Sequence, residues 1–239
     1  CVVNADVKSK GSDSQNSLAG GLVGLVSAKN ILNMENCMAM GSVSTECNSG
    51  CGGLVGGRNV NVIIEKSVAL QKTVSTKKLI IYVDIIFGYS GNSTFYISGN
   101  QNYAYQNIAG LYNENFANKH TEHHGEGVTK AELLTTNFWE NKIGWGNDSN
   151  SSWKIEADQF PSLETTNGDV IFSGDDLPDY LQATNMVTGT VSSGETGLDG
   201  AEIIFKKGNS EKSTTTNADG DFEIELANGI YTVTIKKTG

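Results

Sequence analysis

The sequence predicts an all-β chain: an array of stacked β-rungs closed by a helix-containing aromatic cap, then a separate small β domain. A recurring glycine-rich signature, apolar runs too short for helices, and two changes of pattern further along point to it. The signature stands at Gly20-Gly21-Leu22-Val23-Gly24 and again at Gly52-Gly53-Leu54-Val55-Gly56. Aligning the chain on it sets Cys1-Val2-Val3 over Cys37-Met38-Ala39 and Val7 over Val43. A degraded third copy has Ser67-Val68-Ala69, Val74 and Ile85-Ile86-Phe87-Gly88, and Asn102-Tyr103-Ala104 opens a fourth. Openings about 30 to 36 residues apart fall in the range of solenoids and related arrays.

Within each copy the runs are β-branched or aromatic: Val60 to Ile64, Leu79 to Val83, Thr94 to Ile97. Each ends in small polar residues and none is long enough for a helix. The 28 glycines against two prolines suit tight corners with positive φ. Strands stacked rung on rung bury a continuous apolar column that one repeat alone could not. The signature then reads as a strand entering the core between glycine corners. A phosphate loop is excluded, because no Lys-Ser/Thr follows it and it recurs.

Net charge is −10, so a nucleic-acid partner, which needs clustered Lys and Arg, is not expected. No apolar run is long enough to span a bilayer. The chain opens inside a repeat without Met and stops in what reads as mid-domain, so a fragment is expected, with any signal peptide upstream.

Cys1 and Cys37 share a repeat position and are expected as an inward stacked pair of thiols on adjacent rungs, with a disulfide as the lesser alternative. Cys47 and Cys51 flank a glycine turn, but no second pair or nearby His completes a zinc site. Lipidation of Cys1 is not expected, since its repeat position accounts for it.

From His120 to Leu163 the pattern changes and gathers all three histidines and all three tryptophans. Thr129-Lys130-Ala131-Glu132 is a capping box, with Leu133, Leu134 and Phe138 following at helical spacing. A helix near 130 to 138 is expected to seal the end of the array, with Phe138, Trp139, Trp145, Trp153 and Phe160 packed as its cap. The competing reading makes Trp139, Trp145 and Trp153 an exposed platform for sugar.

The glycine signatures, the Asn-Cys and Asn-Tyr-Ala openings, and the closing run Phe138 to Trp145 with Ser152-Trp153-Lys154-Ile155 and Phe160-Pro161-Ser162-Leu163 resemble bacterial GLUG-repeat surface proteins. That family includes segments flanking the catalytic unit of immunoglobulin A-cleaving metallopeptidases. The resemblance covers about residues 1 to 163 and departs at Ile85 to Gly88, where the signature is replaced. It implies a right-handed parallel β-helix on the cell surface and carries over no catalytic residue.

Residues 164 to 185 are expected as an acidic, solvated linker, holding Glu164, Asp169, Asp175, Asp176 and Asp179 and no Lys or Arg. From 186 onward, runs at Val187 to Val191, Gly200 to Phe205, Thr214 to Thr216, Phe222 to Leu226 and Tyr231 to Ile235 are separated by turns, with Asp219-Gly220 the sharpest. Their order, with Leu198-Asp199-Gly200-Ala201 and Gly229-Ile230-Tyr231-Thr232-Val233, resembles the carboxypeptidase regulatory-like, transthyretin-type β-sandwich, lacking its final strand. No isopeptide bond is expected, because Met186 to Val191 offers no Lys.

The one cluster suggesting an enzyme is His120-Thr121-Glu122-His123-His124. His120 and His124 have metalloprotease spacing, but Thr121 stands where Glu is required, and the segment precedes the helix cap. The expectation is therefore an extracellular, noncatalytic bacterial cell-surface adhesin or display stalk. It is monomeric and without cofactor, and its partner is a host protein, a glycan or another surface component. The alternative is an accessory segment of a larger secreted metallopeptidase or carbohydrate-active enzyme.

Overall fold

The computed structural model describes residues 1–10, 18–26, 31–46, 50–58, 61–76, 83–84, 86–90, 97–108, 125–147, 151–157, 159–182, 184–207 and 210–237. The chain is all-β apart from short helical turns, and it divides into two units, Cys1–Pro178 and Asp179–Gly239. Among the described residues no helix is long and apolar enough to cross a membrane.

In the first unit, corresponding strands of successive repeats pair in parallel. The main ladder joins Val2–Asn4, Met38–Thr45, Val68–Thr76, Tyr103–Tyr105 and Glu126–Val128, with Val7–Ser9 also on Met38–Thr45. Its register is the one the sequence alignment gives: Val2 faces Met38, Met38 faces Val68, Val68 faces Tyr103, and Val43 lies between Val7 and Val74. Glu126–Val128 adds a layer beyond the fourth opening, where the sequence suggested only cap. Lys72 is an extra residue, a bulge between the Gly41–Gln71 and Ser42–Thr73 pairs.

Three shorter parallel ladders complete the layers. Cys51–Gly52 lies between Ala19–Gly20 and Val83–Asp84, Val55–Arg58 pairs with Phe87–Ser90, and Val62–Glu65 lies between Leu32–Glu35 and Ile97–Ser98. The glycine signature does enter the core, with Leu54 and Val55 fully buried, but it bends at Gly53-Leu54 to join two of these ladders instead of running as one strand. In both copies the bend is held alike. The N–H groups of Leu22 and Val23 donate to Leu54 O, and those of Leu54 and Val55 donate to Ile86 O, each at 3.0 Å. Ile86 therefore takes the place of the signature leucine in the degraded third copy.

Gly20, Gly21, Gly52 and Gly56 serve close approach and not positive φ. A Cβ on Gly52 would lie 2.0 Å from Val55 O, and one on Gly56 2.4 Å from Ala19 O. The left-handed corners fall instead on Asn36, Lys66 and Gln101, with φ of 54°, 47° and 54°. These three precede the main ladder in successive layers.

Side chains alternate along the main ladder. Ala39, Ala69 and Ala104 join the interior cluster with Leu54, Val55, Ile64 and Ile86. Met38, Met40, Val68, Leu70, Tyr103 and Tyr105 therefore point to the opposite face. They too are buried, so this sheet is covered on both sides.

The second unit has two main antiparallel sheets, Thr184–Thr190 with Asp221–Ala227, and Ser210–Thr215, Glu202–Lys207 and Thr232–Lys236, besides a small hairpin of Ser192–Ser193 with Thr196–Gly197. They share a core of Ile203, Phe205 and Leu226, packed by Val187, Phe222, Ile224 and Tyr231. Asn217 Oδ1 accepts from the N–H groups of Asp219 and Asp221 at 3.0 and 2.9 Å, fixing the turn that carries the chain from one sheet to the other.

Candidate functional site

The candidate site begins at Thr129, where the capping box forms as expected. Thr129 N–H donates to Glu132 Oε2 at 2.9 Å, and Glu132 N–H donates to Thr129 Oγ1 at 3.1 Å. The helix behind it is not one α-helix. A 3₁₀ turn, Glu132–Leu134, is followed by Thr135 in extended conformation and then by a π-helical segment, Asn137–Lys142. Lys142 Nζ lies 2.9 Å from Glu132 Oε1, tying the two turns together. The Thr129 N–H bond, then Lys142, hold the Glu132 carboxyl below its ordinary range, and Glu132 in turn holds the Lys142 ammonium above its own.

From this turn the aromatic side chains form a continuous file. Tyr103 meets Phe138 edge-on at 4.9 Å, and Phe138 meets Trp139 at 4.7 Å. Trp139 stacks on Trp145 at 5.0 Å, and Trp145 on Trp153 at 4.2 Å. Phe160 and Phe172 branch from Trp139. Each indole N–H that is donated goes to backbone: Trp139 Nε1 to Leu133 O at 2.7 Å and Trp145 Nε1 to Lys66 O at 2.9 Å.

The three tryptophans are brought together, but not as a platform. Trp139, Trp145 and Trp153 are 0, 2 and 5% exposed, and their ring faces are spent on one another. Stacking on sugar needs a free face, so that reading fails. The packed-cap expectation holds for the burial and changes in location. The file lies along the corner of the main ladder, reaching Gln101, whose Nε2 donates to Lys142 O at 2.8 Å, and then Lys66. Met38, Val68 and Tyr103, flanking the inward alanines, were the signal for such a cover, since a strand apolar on both faces is buried on both.

The corner itself is polar and ordered. Ser67 Oγ donates to Glu65 O at 2.8 Å and accepts from Cys37 N–H at 3.2 Å, and Asn102 Nδ2 donates to Ile64 O at 2.6 Å. The side chains of Ser67 and Asn102, which open the third and fourth layers, thus satisfy backbone groups of the corner. Beside it a cleft of about 500 Å³ is lined by Asn36, Lys66, Ser151, Ser152 and the edges of Trp145 and Trp153.

The cysteines behave as separate groups. Cys37 is buried and donates its Sγ–H to Glu35 O at 3.2 Å. Cys1 shares its register position but is exposed, against the inward expectation. The pairing of Val2 with Met38 keeps the register, and no layer among the described residues lies over Cys1 to bury it. Cys51 is buried and its thiol is pushed up to about 12 by desolvation. Cys1, Cys37 and Cys51 are free thiols. Cys47 and the cluster His120, His123 and His124 lie outside the described residues.

The segment from 164 to 185 is not a bare linker. Val170–Phe172 pairs with Ser162–Glu164, which pairs with Trp153–Lys154, and Phe172, Leu177 and Leu181 are buried. Asp176 accepts from Ser173 N–H at 2.8 Å, and Asp179 accepts from Ser210. Among the described residues, no three His, Cys, Asp or Glu side chains are grouped to hold a metal. No family model matches the chain, and neither a curated protein nor a solved structure matches it.

Proposed function

We propose that this chain is a noncatalytic adhesin or display module of a bacterial cell-surface protein, acting outside the cell by binding or presentation. In this reading the first unit is a right-handed parallel β-helix of the GLUG-repeat kind, and the second a transthyretin-type spacer. The observation that carries the proposal is that the aromatic and charged side chains of the capped turn serve as structure. The three tryptophans are buried on one another, and Glu132 and Lys142 are paired within the capped turn. In-register pairing of the repeats supports the β-helix, and the shared core of two antiparallel sheets supports the spacer. The partner would be a host protein, a glycan or another surface component.

The test takes the purified chain through arrays of immobilised glycans and extracellular proteins, in parallel with peptidase and glycosidase assays. Saturable binding without hydrolysis is the expected result, with a melting temperature unchanged by chelator. Hydrolysis by the chain alone, or a stoichiometric metal lost in the His120→Ala, His124→Ala variant, would replace the display reading with an enzymatic one.

A further inference from the structure

The chain leaves the first unit at the end where it entered. Along the corner of the main ladder the aromatic segment makes contacts in an order opposite to the stacking of the layers. It starts at the fourth, where Phe138 meets Tyr103 and Gln101 donates to Lys142 O. It passes the third, where Trp145 donates to Lys66 O. Trp153 and Leu163 then line the same cleft as Glu35 of the second layer and Cys1 of the first. Finally Asn4, in the first strand of the ladder, donates its Nδ2–H to Asp176 O at 3.0 Å. Two residues later the unit ends.

We infer that the described residues between 137 and 178 form a return clasp, and that the stacked layers form a pendant lobe instead of an in-line spacer. A ladder that is entered at one end and left at the other carries any pull along its stack. Here the pull enters at Asn4 and leaves at Asp176, which are hydrogen-bonded, so the layers beyond them lie off the load path. Successive layers sit about 4.8 Å apart, so the fifth stands about 19 Å beyond the first along the stack. The far layers therefore stand away from the Asn4–Asp176 clasp, as display requires. This inference deepens the display reading above and rests on it for its biological sense, but its test reads geometry alone.

The experiment is single-molecule pulling on the full chain, tethered at residues 1 and 239. Asn4→Cys and Asp176→Cys are introduced in a Cys1→Ser, Cys47→Ser background, and the protein is compared before and after a short bis-maleimide cross-link. The uncross-linked protein should show a length gain of about 60 nm from the chain between the two positions, extended at about 3.5 Å per residue, and about 20 nm from the second unit. Cross-linking should abolish the larger gain and leave the smaller. Spin labels at the same two positions, in native protein, should give one short distance. Failure of the native protein to cross-link together with a long label distance would overturn the clasp. A failed binding screen would instead remove the display reading and leave the clasp standing.

Discussion

A methyl group added to Gly56 would sit 2.4 Å from Ala19 O and 2.6 Å from Gly24 O, both backbone atoms that cannot swing away. Gly144 has φ of 81° but open space around its missing Cβ. Gly144→Ala should therefore cost about 1 kcal/mol, the ordinary strain of a left-handed side chain. Gly56→Ala should cost about 3 kcal/mol or more, because overpacking against fixed backbone forces the layers apart. Urea midpoints followed by tryptophan fluorescence would rank the two. The thiols allow a second test. An alkylating reagent at pH 8 should label Cys1 rapidly and spare Cys51, which is buried and whose thiolate is disfavoured until the chain unfolds. Rapid native labelling of Cys51, mapped by mass spectrometry, would contradict its place in the core. At this scale the sequence showed where the glycines recur but not why. Their role is close approach between layers, which no single repeat displays. The positive-φ corners were hidden, because Lys66 and Gln101 are not residue types that signal a left-handed turn.

The capped turn was legible as an element because a capping box is a local device, set by Thr129 and Glu132 three residues apart. Its π-helical continuation was not, since tertiary packing of Phe138 and Trp139 overrides the local spacing. The pH dependence of this turn follows from its two charges. Glu132 has its folded value held below the ordinary 4.5, so its contribution is present above about pH 4.5 and lost as pH falls through the lowered value. Lys142 has its folded value above the ordinary 10.5, so its contribution is present below that and lost as pH rises through the raised value. Stability of the wild type minus that of Glu132→Gln should thus be flat through neutral pH and shrink in acid. A difference that grows below pH 4 would contradict the pairing. Trp145 is the joint of the aromatic cover. Trp145→Ala should cost about 3 to 5 kcal/mol through the cavity and the lost bond to Lys66 O, as read from urea unfolding. The cover's position escaped the sequence reading because bulk and aromaticity say that a segment is buried, and not against which face. The pattern Met38-Ala39-Met40, Val68-Ala69-Leu70, Tyr103-Ala104-Tyr105 held the answer, with both faces of one strand apolar.

For the whole molecule, the repeat register was readable because like residues stack. The boundary between units was less so, since an acidic stretch reads as linker even when Phe172, Leu177 and Leu181 anchor it. All three tryptophans lie in the first unit, so fluorescence follows that unit alone. In that unit the stacked layers and the aromatic segment over them are one structure, in which the ladder's outer face depends on its cover. Hydrogen exchange read by mass spectrometry along a urea series tests this most directly. Amides of Met38–Thr45 and Val68–Thr76 should lose protection over the same urea range in which tryptophan fluorescence changes. Strands that stay protected after the tryptophan signal has been lost would show a ladder that stands without its cover, and the two would not be one structure.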